Sequence, residues 1–415
     1  MTTPGRIRRV TLGWLLAGGL ACAVVRSPGD GDTTLVIRYR RGKDALNTWM
    51  VYWPRHLLEG LDPKGFWEWE FWVRPVGNGP YRYVRHVPKT MVELQANPDF
   101  FAGTPRIGRA IIRFGGGSPI TELLGGNVDA AWSNHADLPK MATDPRFRVY
   151  HQLSPEVPWL KVVAWNHRHV ALGDVRVRRA LTAAVDRREL IRLQNFPAEL
   201  RLADALYTPR QYRRDELPAT IPHDPEAARR MLDQAGWRDA DGDGIRERAG
   251  RPLRMTLMVG EGRDAAAAVY LQAAWRRIGV DLLVSQIEGQ VRSTRFSAGD
   301  FDAAIMPFWN HPDGHSRWFR SLPGEPRDPA ARRGLGYQNP EVIRLMDAAR
   351  LAFDLGERDR IYQQATPLFL RDQPVLFLYP EPQPYVVTRR LQGLVPPYRA
   401  DPIQFLQHLW LENPR

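Results

Sequence analysis

The sequence predicts an α/β protein of two lobes, with the second lobe inserted into the first. Three observations carry that expectation. The chain has 415 residues, far beyond the size at which a single hydrophobic core suffices. Residues 173–372 alternate capped helices with short apolar strands. The sequence on both sides of that block is β-rich, so the chain must cross between lobes twice, and two crossings make a hinge. The expected organisation is an export signal over 1–25, a β-rich first lobe over 33–172, the second lobe over 173–372 and a return to the first lobe over 373–415.

The chain starts with Arg6, Arg8 and Arg9 ahead of an apolar run to Val25 that ends in small residues, the outline of an export signal. Cys22, the only cysteine, sits at its end. Gly19-Leu20-Ala21-Cys22 partly matches a lipid-attachment box and Ala21-Cys22-Ala23 fits an ordinary cleavage site, and both readings stay open. Either way the rest of the chain has no thiol, disulfide or cysteine metal site. Residues 34–39 alternate enough for a strand, and 49–72 are dense in aromatics and proline. Strands are expected at 81–87, 91–96 and 110–114, punctuated by Gly- and Pro-rich turns, with a short helix at 120–124. Gly115-Gly116-Gly117 lacks the Lys-Ser or Lys-Thr of a phosphate loop and reads as a turn.

From Asp174 the pattern becomes helical. Asp174 caps a helix with Val177, Leu181, Ala184 and Val185 on one face. Asp224-Pro225 opens another, with Ala228, Met231, Leu232 and Ala235 inward and Gly236 as its stop. A strand at 255–259, a helix at 265–278 and a strand at 280–285 make a β-α-β unit, followed by a strand at 301–306. Asn339-Pro340 caps a helix to residue 353, Gly356 is expected to break it, and a last helix spans 357–370 before a strand at 374–379.

Composition excludes several functions. Hydrophobic residues at 43% and charged residues at 25% are ordinary for a globular protein. The net charge of +12 would suit nucleic acid if it were clustered. It is dispersed instead, with arginines beside acids as in Asp186-Arg187-Arg188-Glu189, so a solvated surface and no nucleic-acid partner is expected. No Gly-x-Ser-x-Gly elbow, His-Glu-x-x-His helix or dinucleotide fingerprint is present, so no catalytic residue or cofactor is assigned.

Seven segments occur in an order that resembles the family-five extracytoplasmic solute-binding proteins of peptide- and nickel-type ABC transporters. They are Pro75-Val76-Gly77-Asn78-Gly79-Pro80-Tyr81, Asn97-Pro98-Asp99-Phe100-Phe101-Ala102-Gly103, Gly125-Gly126-Asn127-Val128-Asp129, and Asp174-Val175-Arg176-Val177-Arg178-Arg179-Ala180-Leu181 closing on Asp186-Arg187. Asp224-Pro225-Glu226-Ala227-Ala228 through Trp237, Gly336-Tyr337-Gln338-Asn339-Pro340-Glu341-Val342 and Gln373-Pro374-Val375 complete the series. The resemblance implies a two-lobed, periplasmic-binding-protein-like fold of type II with a hinge, its first lobe incomplete because a long stretch usual in the family is missing.

It also implies function: the substrate-binding subunit of an ABC importer, periplasmic or extracytoplasmic, capturing a peptide or small polar solute and meeting permease subunits. Membrane attachment would come only through a lipidated Cys22. The alternative is a truncated, non-transporting remnant or a sensory partner protein. By the same resemblance Asp313 is the expected anchor for a ligand's ammonium, Asn310 the fallback and Trp309 a wall of the cleft, with Trp132 and Asn134 facing the ligand from the first lobe. Each of these residues also has a reading as core or loop surface. His311 and His315 flank Asp313, and exposed loop histidines are the simpler reading. Asp239-Ala240-Asp241-Gly242-Asp243-Gly244 imitates the start of an EF-hand, but the twelfth place is Gly250, so a surface turn and no metal site is expected.

Overall fold

The computed structural model describes residues 23–26, 35–38, 61–114, 118–133, 137–150, 159–196, 198, 200, 202, 221–309, 334–352, 354–381, 384–394 and 406–412. Strands β1 (Ala23–Arg26) and β2 (Leu35–Arg38) pair antiparallel. The first of them begins inside the segment expected to be export signal. A meander of β3 (Tyr81–Val87), β4 (Met91–Ala96) and β5 (Arg109–Arg113) follows. Next come α1 (Pro119–Leu124), β6 (Ala130–Trp132), α2 (Leu138–Thr143) and β7 (Phe147–Tyr150).

The large unit is a five-stranded sheet with helices on both faces. It is built from β8 (Trp159–Trp165), α3 (Val175–Ala183), α4 (Arg187–Leu193), α5 (Pro225–Gln234), the short pair β9 (Glu247–Arg248) and β10 (Arg251–Pro252), and β11 (Arg254–Val259). The chain continues through α6 (Arg263–Arg276), β12 (Asp281–Gln286), α7 (Gly289–Ala298), β13 (Ala303–Trp309), α8 (Pro340–Leu351), α9 (Leu355–Asp372) and β14 (Val375–Pro380). The strand order is β12-β11-β13-β8-β14, with β11 parallel to β12 and β13, and β8 antiparallel to β13 and β14.

Because strand side chains alternate, β8 feeds two cores. Val163 and Trp165 join Leu181, Leu232, Leu271 and Trp275 from α3, α5 and α6 on one face. Leu160, Val162 and Ala164 join Phe296, Met346, Tyr362 and Phe369 from α7, α8 and α9 on the other. A strand covered on both faces reads as an apolar run rather than as an alternation.

The block expected over 173–372 therefore does not close its own sheet. Its sheet takes β8 from before the block and β14 from after it. Arg178 ties the block's two ends together. It is 4% exposed and donates to the Leu172 and Gly173 carbonyls at one end (2.6 and 3.0 Å) and the Asp372 and Gln373 carbonyls at the other (2.6 and 3.0 Å). Beside it His167 Nε2 lies 3.3 Å from the Pro374 carbonyl.

The caps form as the sequence dictates. Asp174 accepts from the Arg176 amide, Asp224 from that of Ala227 and Asn339 from those of Glu341 and Val342. Two expectations need correction. Gly356 does not break a helix; it lies in the first turn of α9, whose cap is Asp354, accepting from Glu357 N at 2.7 Å. The strand expected at 301–306 starts later and ends later, at Trp309.

After β14 the chain leaves the large sheet. Strand β15 (Tyr385–Thr388) enters a small sheet between β6 and β7, antiparallel to both. Helices α1 and α2 cover it through Ile120, Leu123, Leu138 and Met141. Strands β16 (Leu391–Gln392) and β17 (Trp410–Leu411) form a last pair.

Candidate ligand-binding site

The two principal sheets are joined by a short connection. Pro380 closes β14 of the large sheet and Tyr385 opens β15 of the small one, and an extended chain from one to the other spans at most about 18 Å. Strands β11, β13 and β14 all end at this rim, and β8, antiparallel to the last two, begins there. On the small sheet, Tyr385 is in register with Trp132, the last residue of β6, and with Tyr150, the last of β7. The Trp132 and Tyr385 rings lie 4.0 Å apart between centroids, tilted by 56°, and Trp132 stays 38% exposed. On the large sheet, Trp309 stands opposite Trp159 in the β13–β8 pairing. Aromatic residues thus terminate both sheets at the place where they are joined.

The large-sheet rim also carries a buried ionic network. Lys161, third residue of the otherwise apolar β8, places Nζ 2.9 Å from Asp264 and 3.6 Å from Glu381. Arg292 of α7 holds the second Asp264 oxygen at 2.7 Å and donates to the Ile305 carbonyl at 3.2 Å. The Lys161 and Asp264 side chains are only 10% and 6% exposed. An ion pair so buried persists only when both charges are matched and further hydrogen-bonded. Tyr379, in register with Lys161, packs edge-on against Phe196 at 4.9 Å. Burial pushes its phenol well above the usual range, and the Asp264 and Glu381 charges push it further.

The chain matches the family model described as bacterial extracellular solute-binding proteins, family 5 Middle, over residues 23–325. It belongs to that family. Among curated relatives, it is similar to the oligopeptide-binding protein AppA of Bacillus subtilis, 24% identical over 386 residues, covering 89% of this chain and 69% of AppA. It is also similar to the di/tripeptide-binding protein 4 of Pseudomonas aeruginosa, 27% identical over 325 residues, covering 74% of this chain and 57% of that one. This chain therefore spans well under three quarters of the length of either relative.

The solved structure of Bacillus subtilis AppA with a nonapeptide superposes with a TM-score of 0.75 at 22% identity, covering 95% of this chain and 78% of that one. Lactococcal OppA, closed on an endogenous peptide, gives 0.71 at 15% identity, covering 94% and 76%. These similarities establish the two-lobed type II fold.

Of the residues singled out in the sequence, Trp132 lies at the rim of the small sheet. Trp309 ends β13 at the rim of the large one, inside the strand rather than in a loop after it. Asn134, Asn310 and Asp313 lie outside the described residues, as do Cys22, His311 and His315. Tyr385, Lys161, Asp264, Arg292 and Tyr379 were not anticipated. A lysine inside Trp-Leu-Lys-Val-Val-Ala-Trp was the available signal, since a buried strand admits a charge only against a partner.

The EF-hand-like segment is a turn of exposed residues, as expected, in which Asp239 accepts from the amides of Gly242 and Gly244. Glu247 comes round to Asp239 and Asp241, and one ligand atom from each of the three lies within 4.8 Å of the others, a set that could hold a metal ion. Glu247 occupies the ninth place of this loop. Among the described residues no helix is long and apolar enough to cross a membrane.

Proposed function

We propose that this protein is the extracytoplasmic substrate-binding subunit of an ABC importer, a non-enzymatic receptor that takes a peptide or a related small polar solute between its two sheet ends and delivers it to permease subunits. The observation that carries this reading is the junction itself: in a family-five chain, aromatic and charged residues gather where the two sheets are joined. The relatives named for oligopeptides and di- or tripeptides support the ligand class. A peptide offers backbone donors and acceptors at regular intervals, so strand-like hydrogen bonding gives affinity largely independent of side chains. Closure of one lobe on the other buries the ligand and presents the form a permease selects.

In this reading Asp313 pairs with the ligand's ammonium, with Asn310 as the fallback partner, and Trp309, Trp132 and Asn134 border the ligand. Truncating one member of a desolvated charge pair costs roughly 2–5 kcal/mol, so Asp313→Ala weakens peptide binding at least about tenfold. Calorimetry checks this; unchanged affinity in a variant with unchanged melting removes Asp313 from the site. The protein is exported and processed near Ala21 to Ala23, through Cys22 lipidation or as a soluble product, and loss of membrane attachment in Cys22→Ser selects the former.

The whole proposal is tested by mass spectrometry of small molecules released from protein purified without refolding. Co-purified peptides support it. A chain that arrives empty and binds no peptide in calorimetry contradicts it.

A further inference from the structure

Three buried donors at the large-sheet rim have no hydrogen-bond partner among the described residues: Tyr379 Oη, Arg263 Nη1 and Arg292 Nε. Each belongs to a residue that pairs with, adjoins or feels the charge of one carboxylate, that of Asp264. Arg292 grips Asp264, Lys161 holds its other oxygen, and Tyr379 sits across the β14–β8 pairing from Lys161. Arg263, next to Asp264 in α6, lies with its guanidinium carbon 5.6 Å from the centroid of the Phe196 ring, which packs against Tyr379. A buried donor left unmade costs about 1–3 kcal/mol, and such groups call for a structural explanation. Three of them in one place, on residues from α6, α7 and β14, mark a position that some acceptor completes.

The charge balance says which kind of acceptor. Lys161, Arg263 and Arg292 are three cations against two carboxylates, Asp264 and Glu381, so the cluster retains one positive charge. Helix α6 opens at Gly262 without a side-chain cap, and Asp264 in its first turn is the charge that its N-terminus favours. Glu381 and Asp264 are already engaged with Lys161. The unpaired buried groups are two guanidinium nitrogens that can only donate and one phenol, a set that favours an anion over an ammonium.

We propose that Tyr379, Arg263 and Arg292, arranged around the Lys161–Asp264 pair, form a carboxylate-binding subsite, in which the phenol and two guanidinium groups donate to the oxygens of a ligand's free carboxylate. Planar guanidinium donors suit a planar carboxylate. The phenol, held protonated by its surroundings, remains a donor across the physiological range. The donors are closed off from solvent, which fits a group enclosed by lobe closure rather than held at a surface. That the carboxylate belongs to a ligand in the cleft rests on the proposed binding function; its source is either the C-terminus of a peptide or a small free carboxylate.

Thermal unfolding and calorimetry of the full chain test this with sodium acetate against sodium chloride at equal ionic strength, and with pentaalanine against pentaalanine amide. Wild type, Tyr379→Phe and Arg263→Gln are compared; Tyr379→Phe removes only the hydroxyl and keeps the packing on Phe196. The expected result is that acetate raises the wild-type midpoint above that in chloride and has little or no such effect on either variant. Pentaalanine is expected to bind wild type about tenfold tighter than its amide, a preference the variants lose. Acetate stabilising all three proteins equally, or none, overturns the subsite whatever the peptides do. Acetate discriminating while neither peptide form binds keeps the subsite, assigns it to a small carboxylate and counts against the peptide reading.

Discussion

The large α/β unit and the β3–β4–β5 meander are built from similar strands yet differ in what covers them. In the large sheet both faces are roofed by helices, and Trp165, Trp275, Tyr362 and Phe369 are fully buried. In the meander, Glu93 and Ala110 are the only strand residues buried, while Val84, Val87 and Ile111 are exposed. What organises its surface is ionic: Glu93 lies between Arg85 and Arg109 at 2.6 Å each, and hydrogen bonds from both arginines hold its carboxyl below the usual range. The contrast teaches that stability in this chain resides where apolar strands have two partners. The meander is held mainly by its own ladder, and local opening is expected to begin there.

Substitutions sharpen that contrast. Trp275→Ala removes a fully buried indole that also donates to the Leu181 carbonyl at 2.9 Å, and is expected to cost about 3–5 kcal/mol. A chemical denaturation midpoint shows it, and a near-neutral result would break the comparison at its strongest point. Arg178→Ala leaves buried carbonyls at both ends of the inserted block without their donor, and is expected to cost upwards of about 2 kcal/mol. Arg178→Lys should not restore it, because one ammonium cannot reproduce the guanidinium's spread of donors. Full rescue by lysine would mean that charge, not the staple geometry, matters.

The contact between the two ends of the inserted block, where His167 meets the Pro374 carbonyl, also sets a pH dependence. Burial, with the Arg178 charge adding, pushes His167 down to about 3, so the folded protein holds it neutral while the unfolded chain takes a proton near the ordinary value of about 6.5. The unfolded state then binds more protons, and stability from this group falls as pH drops below about 6.5 towards 3. The limiting slope is about 1.4 kcal/mol per pH unit. His167→Gln should flatten the acid limb of the stability profile in this window, and an unaltered limb would remove His167 from the account. The smallest effect is expected in the meander, where Ile111→Ala, at 46% exposure, should cost under about 1 kcal/mol.

The sequence was most legible where structure is local. Asp174, Asp224 and Asn339 announce their helices because a cap needs only the next three residues, and Gly236 and Gly279 end theirs in the left-handed conformation (φ of 81° and 86°) that glycine adopts freely. Non-local pairing was less legible. Strand β8 joins β13 and β14 from far along the chain, and no periodicity within Trp-Leu-Lys-Val-Val-Ala-Trp reveals which lobe receives it. Gly356 misled because helix propensity disfavours glycine, whereas a first-turn position capped by Asp354 accommodates it.

The site follows the same division. Trp132 was readable from its place beside a family-like segment, but its tilted ring contact with Tyr385 depends on a pairing between residues far apart in sequence. The Lys161–Asp264–Arg292 network assembles from three elements and carries no shared sequence signature.

The central claim is that a ligand lies between the two sheet ends, and hydrogen exchange of the full chain with and without a co-purified or calorimetrically verified peptide tests it most directly. Amides of 159–161, 305–309, 379–381 and 385–386 should become slower on binding, while those of β3, β4 and β5 remain the fastest among the strands in both states. Protection confined to the meander, or absent from both sheet ends, would contradict the account.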